Sequence, residues 1–195
     1  MSGRLVLRKK EDDSMRRPLL LVALLAVVTV ASAMPLTQQA IDAVPDKKVP
    51  SRELESNLPD SHPMAYFLYA AKLFRAGKQD LAVRWYYVGQ IRFRQYLLAN
   101  PDMPASGDPA QFDNVNKNFG PPITDWAGGN IRIWLQTIKE ALAWDAANPN
   151  NFTSKETYAA QLQQARAQVS ASYDTIKRTE DQIKAERAAR GLLDR

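Results

Sequence analysis

The side chains that could carry out catalysis are few and scattered in this chain. There is one histidine, His62, which precedes a proline where a helix is predicted to start, a position typical of a cap or surface residue. The chain has no cysteine, so a zinc site with the usual nitrogen and sulfur ligands cannot be assembled. The oxygen-rich stretches 102–108 and 125–130 lack the carboxylate density of a calcium loop. We therefore expect no metal and no cofactor.

The acidic residues do not form a recognisable pair for glycoside cleavage. They are spread along the chain, and only Glu140 falls within a predicted helix near aromatic residues, with Lys139 beside it. The sequence also contains no nucleophile-elbow motif, no phosphate-binding loop and no dinucleotide fingerprint. These observations favour a protein that is not an enzyme.

Arginine and aromatic side chains are concentrated between residues 84 and 96. Arg84 and Arg92 are eight residues apart, which places both near one face of a helix. Arginine with tyrosine and tryptophan is the composition of protein-interface hot spots. Alternatively, the aromatic residues form core and at least one arginine is buried against a carboxylate from the 108–125 region. The candidate protein-binding residues of the whole chain are Arg84, Tyr87, Arg92, Arg94, Asp125, Trp126 and Asn130.

Two helices folded back on each other would position the arginine-rich segment. Residues 61–76 carry apolar side chains at steps of three and four, and the period restarts after a short turn and continues to Asn100-Pro101. Gly77, between the two, is the residue best able to take the left-handed conformation that ends a helix. The pattern predicts an antiparallel helical hairpin over residues 61–100.

This hairpin resembles a single tetratricopeptide or Sel1-like unit. The residues that carry the likeness are Tyr69, Phe74, Gly77, Asp80, Ala82, Trp85 and Tyr86. The resemblance implies one antiparallel helix pair with other helices closing over it. No second copy occurs at a fixed period, and stacked repeats need about three copies for a continuous core. An extended solenoid is therefore not expected.

Residues 101–130 contain five prolines and four glycines. Asp108 is a good N-cap for a short helix ended by Gly120, and a turn is predicted from Ile123 to Ala127. Loops that carry many prolines and glycines often present a binding surface. For that reason Asp125, Trp126 and Asn130, near the end of this segment, are among the candidates. The alternative is that their aromatic residues plug one end of the bundle.

The predicted C-terminal elements are two helices. Asn130 caps one that ends at Asn148-Pro149, and a capping box of Thr153 and Glu156 opens another over residues 154–190. The first half of this long helix is apolar enough to dock on the hairpin. Its second half is mostly charged and is expected to project or fray. Residues 191–195 are expected to form a tail, and a weak dimer seam along the helix is the alternative to a monomer.

The N-terminus has the three parts of a secretory signal over residues 1–33. Arg16 and Arg17 precede an apolar run, and Ala31-Ser32-Ala33 is a cleavage site that would leave Met34 first. The signal could equally begin at Met15. The alternative is an uncleaved inner-membrane anchor over residues 19–33, although the run is short of the roughly 20 residues that span a bilayer. After cleavage no stable membrane insertion is expected.

Three of the five net positive charges of the chain lie in this leader. The whole sequence carries 26 basic and 21 acidic side chains, and residues 1–33 hold six and three of them, which leaves a net charge of +2 after cleavage. Nucleic-acid binding needs a concentrated basic face and is not expected. Residues 34–60 are interrupted by four prolines, and a mobile linker and short packed helices are equally open there.

Four stretches, the first of them within the hairpin, resemble a family of small exported bacterial proteins. They are LFRAGKQDLAVRWYYVGQ, NPDMPASGDP, FGPPITDWAGGN and ALAWDAANPN, within residues 65–152. Some proteins of that kind accompany interbacterial toxins and protect the producer, so the resemblance implies an immunity-type role with a toxin as partner.

The sequence as a whole predicts an all-α bundle over residues 61–190, built on one TPR-like helix pair with a long C-terminal helix. The predicted function is a periplasmic, non-enzymatic protein-binding domain. The alternatives are a protein that binds or hydrolyses the peptidoglycan of the cell envelope, and a structural envelope factor.

Overall fold

The computed structural model describes residues 35–195, and this part of the chain is helices and turns without a β-strand. Its α-helices are, in chain order, α1 (Gln38–Ala43), α2 (Arg52–Asn57), α3 (Met64–Arg75), α4 (Gln79–Ala99), α5 (Asp108–Asn118), α6 (Gly120–Gly128), α7 (Ile131–Ala147), α8 (Ala159–Arg178) and α9 (Glu180–Ala189). Two 3₁₀ turns, Asp46–Lys48 and Leu58–Asp60, flank α2. The predicted all-α fold is confirmed. The predicted leader, whether signal or anchor, lies outside the described residues.

Helices α3 and α4 form the predicted antiparallel pair, and α4 is the centre of the fold. Gly77 ends α3 with a φ of 74°, the left-handed conformation expected of it. Every residue of α4 from Trp85 to Phe93 is buried, because α3, α6, α7 and α8 pack around this helix. At Gly89 the missing side chain makes room for the ring of Phe67, which would lie 3.0 Å from an added Cβ.

Aromatic rings fill the space between α4 and its neighbours. Trp85 is completely buried, and its ring centre lies 4.8 Å from that of Trp144 on α7 and 5.5 Å from that of Tyr69 on α3, both in edge-to-face geometry. Such pairs contribute about 0.5–1.5 kcal/mol each beyond the area they bury. The aromatic residues of α4 are therefore mainly core.

Residues 35–60 are packed against α3. Ile41, Leu54 and Leu58 are buried, and the Lys72 ammonium lies 3.0 Å from the Asp46 carboxylate. The Ser51 side chain accepts a hydrogen bond from the Leu54 backbone and so caps α2, as its position before the helix predicts. Of the two possibilities for this segment, the structure has short packed helices.

Residues 101–130 contain short helices, but their bounds differ from the prediction. Asp108, the predicted N-cap, is the first residue of α5, and the predicted turn over residues 123–127 is part of α6. Phe112 on α5 and Ile123 on α6 are buried in the core. Gly120, which is expected to end the first helix, is instead the first residue of α6. Pro121 and Pro122 occupy the opening turn of α6, where their missing N–H groups lose no helical hydrogen bond.

The C-terminal helix is interrupted, contrary to the prediction of one rod over residues 154–190. The break is at Thr179, whose hydroxyl donates to the Thr175 carbonyl one turn earlier, a bond that often bends helices. The predicted capping box is also wrong. Thr153 is buried, Ser154 accepts from the Thr157 backbone in a separate turn, and α8 starts only at Ala159.

The second half of this region is packed rather than projecting. Helix α9 lies against α6, and Arg187 on it is only 6% exposed. Its guanidinium donates to the backbone carbonyl of Asp125 and, at 2.6 Å, to that of Leu193. The charged side chains of α9 are therefore partly used inside the fold, which a pattern of apolar residues cannot show. The first half, α8, docks on α4 and α7 as predicted.

No α-helix within residues 35–195 is long and apolar enough to cross a bilayer.

Candidate functional site

The seven candidate residues occupy three different environments. They are the buried Tyr87 and Arg92, the half-buried Arg84 and Arg94, and a half-buried cluster of Asp125, Trp126 and Asn130. Arg92 is 1% exposed and Tyr87 is 6% exposed, so neither side chain is accessible to a partner protein. For these two residues the predicted binding role is wrong, and the alternative of core packing holds.

Arg92 forms the buried ion pair that the sequence led us to expect, but with a different carboxylate. Its Nε lies 2.6 Å from Oδ1 of Asp145, which is fully buried on α7. The carboxylate was expected to come from the 108–125 segment. The Arg92 Nη atoms donate to the backbone carbonyls of Pro149 and Asn148 at 2.9 and 3.1 Å. Arg166 on α8 binds the other Asp145 oxygen at 2.6 Å. The network thus joins α4, α7 and α8 around one carboxylate.

Tyr87 and Arg94 are likewise engaged within the fold. The Trp134 indole donates to the Tyr87 hydroxyl at 3.0 Å, and burial raises the pKa of Tyr87. The Arg94 guanidinium donates to Gln168 at 2.9 Å and to Gln90 at 3.0 Å, and burial lowers its pKa. Both side chains connect α4 to neighbouring helices, which accounts for them without a partner.

The structure brings Asp125, Trp126 and Asn130 together, but their contacts are to this chain. Arg190 makes a two-pronged bond to the Asp125 carboxylate at 2.6 and 2.7 Å. The Arg195 guanidinium lies 4.2 Å from the centre of the Trp126 ring, and the Asn130 amide donates to the Arg195 carbonyl at 3.1 Å. Arg190 therefore covers Asp125, and residues 192–195, which we call the tail segment, cover Trp126 and Asn130.

Asp80 links the tail segment to the start of α4. Arg195 Nη2 lies 2.7 Å from an Asp80 oxygen, and the Trp126 indole donates to the same oxygen at 3.0 Å. Arg84 stands four residues further along α4, where an ion pair with Asp80 would be usual. Asp80 instead pairs with Arg195, and the Arg84 side chain makes no ion pair within residues 35–195.

An open cavity of about 520 Å³ begins beside Arg84, between α4, α7 and α8. We call it the α4–α7–α8 groove. Its charged lining consists of Asp80, Arg84, Arg132, Lys139 and Glu140. Its apolar lining includes the half-buried side chains of Leu81, Leu135 and Tyr173. A volume of this size falls within the usual range of ligand and side-chain binding sites, about 300–1,000 Å³.

The basic side chains of the groove are less satisfied than the acidic ones. Glu140 accepts a hydrogen bond from Gln136 at 3.1 Å, and Lys139 lies 5.1 Å from the centre of the Tyr173 ring. The side chains of Arg84 and Arg132 make no hydrogen bond and no ion pair with any residue of the described range 35–195. The groove therefore presents two arginines whose guanidinium groups can each donate hydrogen bonds to an anionic group.

Sequence reasoning identified Arg84 but missed Arg132, Lys139 and Tyr173. Arg132 and Lys139 lie seven residues apart on α7 and so share a face, which was visible in the sequence. Their relation to Arg84 depends on the packing of α7 against α4. The meeting of the three helices could not be read from any local pattern.

His62 lies outside the groove, in an aromatic surround. Its Nδ1 accepts a hydrogen bond from the Met64 backbone at 3.2 Å, so it caps α3 as its position predicts. Its Nε2 lies 3.4 Å from an Asp108 oxygen, so both ring nitrogens are occupied. The rings in edge-to-face contact with it are Phe93, Tyr96 and Phe152. The cap and the ring contacts give His62 a structural role at the start of α3.

Within residues 35–195 no group of three or more histidine, cysteine or acidic side chains is placed to hold a metal ion. Comparisons of the chain with protein-family models, with curated proteins and with solved structures found no match. The groove and its charges are therefore the structural basis from which a function is inferred.

Proposed function

We propose that this protein is an exported, non-enzymatic protein-binding domain, and that the α4–α7–α8 groove is its docking face. The observation that supports this most directly is the pair of arginines in the groove. Arg84 and Arg132 have no anionic partner in the described chain and lie beside half-buried apolar side chains. An arginine next to apolar and aromatic surface is the arrangement on which protein interfaces concentrate their binding energy.

Other surfaces of the predicted site are weaker candidates. The cluster of Asp125, Trp126 and Asn130 is covered by Arg190 and the tail segment, and Arg92 is enclosed in the core. A partner would have to displace contacts of the chain itself to reach them. The groove needs no such rearrangement, since its lining is already open to solvent.

The resemblance to exported proteins that accompany toxins makes the proposal more specific. A periplasmic immunity protein acts by occluding its toxin, which requires a rigid surface and no chemistry of its own. The buried Arg92–Asp145 network and the aromatic packing around α4 provide rigidity on the side of the groove formed by α4 and α7. The proposed partner is accordingly a toxin encountered outside the cytoplasm.

An affinity capture experiment tests the proposed function. The full chain, tagged after residue 195 through a flexible linker, is expressed in a bacterium and recovered with its envelope fraction. We expect one protein to be retained in constant ratio to the bait and to be absent from a bait of unrelated helical sequence. Retention of no protein would contradict the proposal. So would sedimentation of the chain with purified peptidoglycan or cleavage of that polymer.

A further inference from the structure

We propose that the groove binds an acidic segment of the partner, which places a carboxylate between Arg84 and Arg132 and an apolar side chain beside Tyr173. This inference rests on the proposed function and names the chemistry of the partner. It depends on the charge balance inside the groove, on the position of Asp80 and on the apolar lining next to the arginines.

The first support is that Arg84 is held in place without an acceptor. Its guanidinium lies 5.3 Å from the centre of the Trp85 ring, and its Nε is buried with no hydrogen-bond partner in the described chain. An anion that reaches the exposed side of this guanidinium would give its positive charge an opposite charge that the described chain does not supply.

The second support is that Asp80, the acidic residue nearest to Arg84 in the sequence, is bound by other side chains. Asp80 is bound by Arg195 at 2.7 Å and by the Trp126 indole at 3.0 Å. The fold thus uses a cation from the tail segment to neutralise Asp80, and Arg84 keeps an unmatched charge. Arg132 is exposed on α7 at the opposite wall of the groove. Two arginines that face one cavity suit a carboxylate, which each can bind in a planar, two-pronged geometry.

The third support favours a protein segment over a small free carboxylate. Leu81, Leu135 and Tyr173 line the same cavity and are only half-buried, so they gain stabilisation from being covered. A small dicarboxylate would leave much of the volume of about 520 Å³ unfilled. A segment with an acidic residue next to a leucine or an aromatic residue satisfies the arginines and covers the apolar wall together. Glu140 at the rim disfavours a segment with several adjacent acids.

A random peptide library displayed on phage tests the inference directly. The bait is the full chain, and its variant is the double substitution R84Q and R132Q. The control is the double substitution R52Q and R178Q, which removes the same charge from two exposed arginines outside the groove lining. Thermal unfolding followed by circular dichroism shows that all three baits are folded.

We expect the wild-type chain and the control to enrich peptides that combine aspartate or glutamate with an apolar neighbour. The R84Q and R132Q variant should lose this preference, and a selected peptide should bind it roughly tenfold or more weakly. The inference is overturned if no peptide is enriched on the wild type, or if the enriched peptides lack acidic residues. It is also overturned if the groove variant and the control behave alike, or if glutarate alone binds as tightly as the peptide.

The two proposals fail in different ways. If the capture experiment retains a partner but the library shows no acidic preference, the protein-binding function stands and the groove assignment falls. If the library selects acidic peptides but the capture retains no protein, the groove binds such segments in isolation and the proposed function falls.

Discussion

The Arg92 guanidinium and the Asp145 carboxylate face each other at 2.6 Å in a part of the core closed to solvent. A buried charge that loses its partner costs about 3–5 kcal/mol, whereas replacing both charges by apolar groups is often neutral. We expect D145L to lower the free energy of unfolding by that amount, measured by urea denaturation. Arg166, which is one-third exposed, can turn to solvent in the variant.

The double substitution R92M and D145L is the matched control. It should recover most of the loss, because no unpaired charge then remains in the core. Equal losses in the single and the double variant would contradict the assignment of this pair as a buried ion pair and would indicate that side-chain volume alone matters.

Gly89 gives a second stability prediction. In an ordinary helix interior, alanine is more stable than glycine by about 1 kcal/mol. Here an added methyl group would lie 3.0–3.2 Å from the Phe67 ring, and overpacking of that kind costs about 1–3 kcal/mol. We therefore expect G89A to destabilise the fold. The free energy of unfolding of the double variant G89A and F67L should be closer to that of the wild type than the value for G89A alone. An increase in the stability of G89A alone would refute the close approach.

Alkaline pH should destabilise the fold through its buried tyrosines. Burial is the largest cause that raises the pKa of Tyr86 and Tyr96 from 10.0 to about 12. The same cause raises the pKa of three more tyrosines, which are Tyr66, Tyr69 and Tyr87. A raised native pKa favours the protonated form, so the stabilisation is complete below about pH 10 and decreases as the pH rises through the native values.

Unfolding by urea at a series of pH values measures this effect, with the absorbance of tyrosinate recorded in parallel. We expect the unfolding midpoint to fall steadily from about pH 10 upward. The Y86F variant should show a shallower fall, because it removes one of the linked protons. A midpoint that is constant to about pH 12 would show that these hydroxyls ionise without opposition from the fold.

Export is testable on the leader alone. We expect the protein recovered from a bacterial envelope fraction to begin at Met34, as measured by intact mass, because Ala31-Ser32-Ala33 matches a signal-peptidase site. Substitution A33L should block removal, since that site requires a small residue. Recovery of the wild-type chain with residues 1–33 attached would favour the membrane-anchor alternative.

Local signals in the sequence predicted most of the helices, but not where the C-terminal helix begins and where it breaks. The left-handed Gly77 and the caps Ser51 and Asn130 each act within a few residues of themselves, and all three are observed. The break at Thr179 was missed because the apolar spacing from Ile176 to Ile183 continues across it, with no glycine or proline between.

The candidate site was predicted less completely, for a physical reason. The apolar pattern and the spacing of eight residues show that Arg84 and Arg92 share a helix. They do not show which of the two side chains is buried. Arg92 is buried together with Asp145, which lies 53 residues away in the sequence and contacts it from α7. Arg84 makes no ion pair, and the acidic residue one turn before it, Asp80, pairs with Arg195. Such outcomes depend on pairings between distant segments, which periodicity does not encode.

Asp80 has a consequence for how the groove and the tail segment influence each other. The Asp80 carboxylate is already partly neutralised by Arg195, so it supports the positive charge of Arg84 less than a free carboxylate would. Release of the tail segment would return an internal counter-charge to Arg84. Thermodynamic coupling of this kind is reciprocal: an anion in the groove tightens the hold on Arg195 by the same factor by which Arg195 favours the anion. The proposed docking would thereby depend on a side chain 115 positions from Asp80 along the sequence.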